Sequence, residues 1–317
     1  MQKKIRVVIL VVVLLFVFCW IRDFCIKSLI GTVTSSITGA PTHIGGLSLS
    51  IIKQSVRISN FRMYNPKGFS KDILVDIPKI GVACNLKALV TGRIHLKHLE
   101  LEIKEIGMVK NKDGKLNVDS LKIVAEKSGK KEKKPGKQPV VQIDIVSLDM
   151  GRVVSRDYSA GGNSSVVKVY DINLKKTYKN ITSVQQLIVL IISEPLKVAG
   201  IQGLKMYGAA MFAGVAFLPV GVVFTLTGKD YAQGIFNLTI EQAYDAGFKA
   251  IKIAGKVQQE NKADGLISAE VDGAKVILKL KKLSEGSTQV TISAREFGLP
   301  KPEIASGVMY RLKEQLK

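Results

Sequence analysis

Ser55-Val56-Arg57-Ile58-Ser59-Asn60-Phe61-Arg62-Met63 carries the pattern that decides the fold. One polar residue separates Val56 from Ile58 and Phe61 from Met63, and two residues part the pairs. Alternation with period two marks a β-strand with one buried face, whereas a helix repeats its apolar positions at three and four. The two-residue gap has two physical readings. A β-bulge adds a residue and keeps all four side chains on one face. Alternatively, the strand changes faces midway and is buried differently at its two ends.

The same pattern recurs on both sides of this stretch. It is seen at Val75, Ile77, Ile80, Val82, at Ile94, Leu96, Leu99, Leu101, and at Ile143, Ile145, Leu148, Met150. A fifth copy is Val167, Val169, Ile172, Leu174, and a weaker one is Thr42, Ile44, Leu47, Leu49. Six similar strands between about 40 and 180 predict an elongated sheet with an apolar face. At about 4.8 Å per strand such a sheet is about 29 Å wide. Asn65-Pro66-Lys67-Gly68 and Lys112-Asp113-Gly114-Lys115 read as turns. Residues 116–124 read as a short helix or strand end. Residues 127–137 hold six lysines among Ser, Gly, Pro and one Glu, which reads as a solvated, flexible loop or an anionic-lipid contact.

Upstream, residues 7–21 are fifteen consecutive apolar residues. With Ile5 and Phe24-Cys25-Ile26 the run approaches the roughly 20 residues that cross a bilayer. Arg6 and Arg22 bracket it and Trp20 sits near its outer end, where snorkelling cations and interfacial aromatics belong. The alternative, a cleaved signal peptide, lacks a small-residue cleavage site. The run is therefore expected to be an uncleaved anchor with Lys3, Lys4 and Arg6 on the inner side, and Val7, Leu14, Phe16 and Trp20 represent its membrane-facing residues. Residues 206–226 contain no charge over 21 positions. They read either as a second span or, given Gly208, Gly214, Gly221 and Pro219, as a membrane-apposed or protein-buried hairpin. Residues 183–192 read as an apolar helix ended by Pro195.

Downstream, residues 235–238 read as a strand. Thr239 with Gln242 forms a capping-box start for a helix that stops at Gly255. Strands follow over 266–271, 275–283 and 288–294, with Asp272-Gly273 as a tight hairpin turn and Ser284-Glu285-Gly286-Ser287 as the next. A last helix is expected over 303–316.

Composition excludes more than it assigns. The 317 residues carry a net charge of +21, which predicts attraction to polyanions. Nucleic acid is the weaker partner: no zinc spacing or helix-turn-helix signature is present, and aromatics make up only 6%. Cys19 and Cys25 fall in or beside the apolar run and Cys84 stands alone, so neither a disulfide framework nor a metal site is expected. His95 and His98 are three apart on a strand and point to opposite faces, and His43 is distant. No paired carboxylates in an apolar setting, phosphate loop or cofactor motif is read, so neither catalysis nor a cofactor is expected.

The order of several short motifs resembles the N-terminal part of the AsmA-like family of bacterial envelope proteins. They are Thr38-Gly39-Ala40-Pro41-Thr42-His43-Ile44, Ile58-Ser59-Asn60-Phe61 and Tyr64-Asn65-Pro66-Lys67-Gly68-Phe69. Next come Asn85-Leu86-Lys87-Ala88-Leu89 with Gly92-Arg93-Ile94, then Asn111-Lys112-Asp113-Gly114-Lys115-Leu116-Asn117, and finally residues 143–157 with Gly151-Arg152-Val153. Residues 248–253, Asp272-Gly273-Ala274-Lys275-Val276 and Leu280-Lys281-Lys282-Leu283-Ser284 resemble a small uncharacterised domain of bacterial lipoproteins.

The resemblance implies an α+β, β-rich protein. It would have an N-terminal transmembrane helix, an elongated curved antiparallel β-sheet forming an open groove, and a small β-α-β-β-β-α C-terminal domain. The domains expected are the anchor at 1–37, the sheet at 38–180 with a disordered loop at 126–138, a Gly-Ala-rich membrane-associated segment at 181–230, and the small domain at 231–317. The resemblance further implies a non-enzymatic inner-membrane protein with its body in the periplasm, binding or transferring phospholipid in envelope biogenesis. Its partners would be membrane phospholipids with anionic head groups; the alternative is an adaptor docking an envelope protein through its C-terminal domain. The groove residues would be Val56, Ile58, Phe61, Met63, Ile80, Val82, Ile94, Leu96, Leu99, Leu101, Ile143, Ile145 and Leu148.

Overall fold

A computed structural model describes residues 27–316 except 29, 33, 51, 86–87, 89–92, 123, 125–140, 160–165 and 202–229. The first sheet has six strands in chain order, β1 (Thr42–Ser50), β2 (Ser55–Tyr64), β3 (Ile73–Cys84), β4 (Ile94–Lys110), β5 (Val141–Asp157) and β6 (Val166–Ile181). Alternating side chains and β-branched residues make these segments strands, and polar motifs end them. At the β2–β3 turn the Asn65 side chain donates to the Ser70 carbonyl, and Gly68 takes φ +93°, which suits a residue without Cβ. After β4, the Asn111 carboxamide oxygen accepts the amides of Asp113 and Lys115. The fully buried Asn117 accepts from Val109 and Val118 and donates to the Gly107 carbonyl. The described residues divide into two compact units: Met1–Lys104 with Leu121–Asp149 and Lys175–Val189, and Glu105–Ser120 with Met150–Leu174 and Leu190–Lys317. Strands β4 to β6 each give a stretch to both.

Register and cross-strand ion pairs together decide between the two readings of the strand pattern. Ile58 pairs with Leu47 of β1 and with Ile80 of β3, and three residues on Phe61 pairs with Ile44 and Ile77. No residue is inserted between these pairs, yet the apolar face is kept. Lys79 ion-pairs with Glu102 and Asp76 with Lys104, so both stand on the exposed face of β4. Alternation is reset at one level between them, which leaves Val75 and Ile77 on the face of Ile80 and Val82. Asn60 marks that level with φ +53°, a conformation asparagine tolerates. Gly46 leaves room beside it, because a Cβ there would collide with the Ser59 hydroxyl.

The expected fold needs correction in four respects. First, among the described residues no helix is long and apolar enough to cross a membrane. The described helical residues between 27 and 38, which fall in the expected anchor domain 1–37, are rich in Ser and Thr. The anchor residues Val7, Leu14, Phe16 and Trp20, and the apolar run 206–226, lie outside the described residues. Second, the sheet is not wholly antiparallel. Neighbouring strands β1–β2 and β2–β3 are antiparallel. Across β4 and β5, however, His95 meets Asp144 and His98 meets Ser147 in one unit, while Glu105 meets Arg152 and Lys110 meets Asp157 in the other. Both members of each successive pair advance along the chain, as in parallel neighbours only. The chain between them is thus a crossover rather than a hairpin. Third, the helix after β6, α1 (Val184–Val198), continues through Pro195.

Fourth, the C-terminal domain has two more strands than expected. Its order is β7 (Tyr231–Phe236), α2 (Ile240–Ala254), β8 (Lys256–Asn261), β9 (Leu266–Val271), β10 (Ala274–Ser284), β11 (Ser287–Glu296), β12 (Leu299–Pro300), α3 (Pro302–Gln315). Strands pair in the order 12-11-10-9-8, and β7 pairs with β11. Thr239 and Gln242 form the capping box of α2. The backbone is extended at Gly255, where a Cβ would collide with the Glu270 carbonyl oxygen, so the chain passes directly from α2 into β8. The edge strand β8 is polar apart from half-buried Val257, which hides it from a reading based on alternation. Helices α2 and α3 cover one face of this sheet. Ile251, Ile267, Val276, Leu278, Ile292 and Leu312 stand at the centre of that core.

Candidate functional site: an apolar strip across five strands

Register and ion pairs place the groove residues of β2 and β3 on one face. In β2 and β3, Val56, Ile58, Ile80 and Val82 share one face, opposite Leu49 and Leu47 of β1. Gly81 points the other way, because a Cβ on it would lie 3.1 Å from a Glu100 carboxylate oxygen. Glu100 therefore lies on the far face, and alternation puts Leu99 and Leu101 with Ile80 and Val82. The His98 imidazole Nε2 lies 2.8 Å from the Ser147 hydroxyl on that far face. This places Leu148 with Leu99. The result is a continuous apolar strip from β1 to β5, all within one compact unit. Ile58, Ile80, Leu99, Leu101 and Leu148 are buried, whereas Leu47, Leu49, Val56 and Val82 are half-buried.

Phe61 and Met63 pair with Ile77 and Val75 and continue the strip beyond Asn60, because Asp76 and Lys79 both reach the exposed face of β4. Ile94 and Leu96 are half-buried, and in β5 the buried positions run Val141, Ile143, then Val146, Leu148. Ile143 is 1% exposed and Ile145 is 37% exposed.

At the start of the same unit lies a cavity of about 840 Å³ between the helical residues 27–38 and β1. Its walls include Lys27, Ser28, Thr32, Ser35, Thr42 and His43. Lys27 Nζ donates to the Gly45 carbonyl at 2.9 Å, which holds an ammonium group at the rim. Hydroxyls with one fixed ammonium offer donors for a phosphate oxygen.

The polar side chains near the strip are engaged with one another. His95 Nε2 lies 2.8 Å from Asp144, and this bond, with the charge of His95, holds the exposed Asp144 carboxyl below the usual range. Ser147 and His98 have the spacing of a nucleophile and its base, but the nearby carboxylate of Asp144 bonds His95 instead. The pair therefore lacks the carboxylate that orients such a base. Among the described residues no three His, Cys, Asp or Glu side chains are grouped to hold a metal ion.

One cluster gave no signal in the sequence. In the second unit, Tyr310 of α3 stands between Arg152 and Arg156 of β5, each guanidinium 5.3 Å from the ring centre. Its hydroxyl donates to Glu105 of β4 at 3.0 Å and accepts from Arg156 at 3.0 Å. Arg152 also donates to Glu105, and Arg156 to Glu314. Burial and the Glu105 charge push the Tyr310 hydroxyl up to about 12. One turn earlier Gly307 packs on β6, where a Cβ would collide with the Val167 carbonyl oxygen. Two arginines against two glutamates make a balanced network, which holds α3 on the strands rather than activating a group.

No protein-family model matches the chain, and no curated protein matches it.

Proposed function

We propose that this chain is a non-enzymatic, AsmA-like lipid-binding or lipid-transfer protein acting at the bacterial inner membrane from the periplasmic side. The observation that carries the reading is the strip from Leu47 to Leu148, whose β1–β3 end keeps Leu47, Leu49, Val56 and Val82 only half-buried. An acyl chain laid along them leaves water at about 0.8 kcal/mol per CH₂. The cavity at Lys27, with its hydroxyl lining, is suited to the phosphate of an anionic head group. The order of the AsmA-like motifs and the net charge of +21 support the same reading. A second reading, an adaptor for an envelope protein, draws on the burial of Ile58, Leu99 and Leu101, since a packed core needs no acyl chain.

Gentle extraction of the full chain in detergent, delipidation by solvent and mass analysis of the extract test the choice. Phospholipid recovered near one molecule per chain is expected. A chain carrying no phospholipid supports the adaptor instead.

A further inference from the structure

The C-terminal sheet has helices on one face only, and register defines what stands on the other. Lys275 lies between Glu270 and Arg295, Lys279 between Leu266 and Thr291, and Lys281 beside Gln289. Lys256 extends the first row beyond Glu270. This face thus carries five cations, Lys256, Lys275, Lys279, Lys281 and Arg295, against Glu270. All five are exposed, and among the described residues Lys275, Lys279 and Lys281 form no ion pair.

Apolar side chains stand in water beside these cations. Ile235, on the same face through its pairing with Gln289, is 65% exposed. The β11–β12 turn presents Phe297 at 97% and Leu299 at 67% exposure. Phe297 has φ +49° and Gly298 φ +80°. Such a turn favours Asn, Asp or Gly at its first central position, and a bulky aromatic there is an outlier. An aromatic ring at a strained and wholly exposed turn serves contacts outside the chain rather than its own core.

We infer that this basic face and the Phe297 turn form a docking surface for an anionic phospholipid bilayer. The ammonium and guanidinium groups meet lipid phosphates, while Phe297 enters the head-group boundary. The inference rests on the lipid reading for its ligand class but concerns different residues in the other unit. A nucleic-acid surface would call for stacking aromatics across the lysine rows, and those rows hold Thr291 and Gln289 instead, while the ring of Tyr231 stands in the neighbouring row of Ile277 and Ser293.

Hydrogen exchange of the full chain tests this in nanodiscs of phosphatidylcholine, with and without phosphatidylglycerol. Exchange over residues 294–301 should slow several-fold only in the anionic discs. The slowing should vanish with added salt, in Lys279→Glu/Lys281→Glu, and in Phe297→Asn. Asparagine suits the turn, so Phe297→Asn should melt no lower than the parent. Equal exchange in both discs, slowing that survives both variants, or slowing by duplex DNA alone overturns the inference. If the slowing fails while Val56 still crosslinks to phospholipid, the docking surface is wrong and the proposed function stands. The reverse pattern leaves the surface and removes the function.

Discussion

Ile58 of β2 lies directly opposite Ile80 of β3, and three residues further the same strands pair Phe61 with Ile77. The equal steps keep the register while Asn60, at φ +53°, resets the alternation, so both pairs stand on one apolar face. Along that face, positions that look alike in sequence differ in burial. Ile58 is 5% exposed and Val56, two residues earlier on the same face, is half-buried. Truncating Ile58 to Ala should therefore cost about 2–5 kcal/mol, and Val56→Ser less than about 1.5 kcal/mol. Urea denaturation of the two variants checks the difference. Equal losses would mean that the strip is uniformly packed.

The Tyr310 hydroxyl links Glu105 to Arg156, so Tyr310→Phe removes two charge-assisted bonds from a partly buried network. A loss of about 1–3 kcal/mol in the stability of the second unit is expected. The pH dependence has a definite sign. Folding raises the affinity of this group for its proton, so its contribution is complete below the ordinary tyrosine value of 10.0 and is lost as pH rises towards about 12. The parent should lose stability over that window faster than Tyr310→Phe, and thermal melts at matched pH measure the gap.

Gly307 owes its identity to the approach of β6. Because a Cβ would meet the Val167 carbonyl, Gly307→Ala should destabilise by about 1–3 kcal/mol although alanine is the better helix former. Calorimetry of the full chain reads this, and a neutral or stabilising result would mean that α3 does not sit against β6.

Parallel pairing of β4 and β5 predicts which charges couple. Glu105→Gln and Arg152→Gln should be non-additive, with an interaction energy of about 0.5–3 kcal/mol. Additive losses in a double-mutant cycle would place the two residues apart, as a hairpin between these strands would.

Much of this fold was legible because its strands obey alternation. The capping box at Thr239, the Asp272-Gly273 hairpin and the six-strand pattern all rest on local chemistry that a sequence displays. Whether β2 and β3 keep or change their apolar face was readable only as two options, since a bulge and a face swap produce the same spacing. Ion pairs between β3 and β4 decide it, and they are long-range facts. The parallel β4–β5 pair was missed for a similar reason: direction depends on the path of residues 111–140 and not on the strands. Strand β8 was missed because an edge strand needs no apolar face, as Lys256-Val257-Gln258-Gln259-Glu260-Asn261 illustrates. The Tyr310 network joins residues more than 150 positions apart in the chain, with Arg156 and Tyr310 as its inner pair. No spacing rule reaches that far. The candidate strip was half legible: its residues were named, but the break at Asn60 that keeps those of β2 and β3 on one face was not.

The account turns on whether acyl chains lie along Leu49 and Val56. A photoreactive phenylalanine analogue placed in cells at Leu49, at Val56 and, on the opposite face, at Arg57 tests it most directly. Phospholipid adducts at Leu49 and Val56 with none at Arg57 are predicted; no adduct at either strip position, or equal labelling at Arg57, would contradict it.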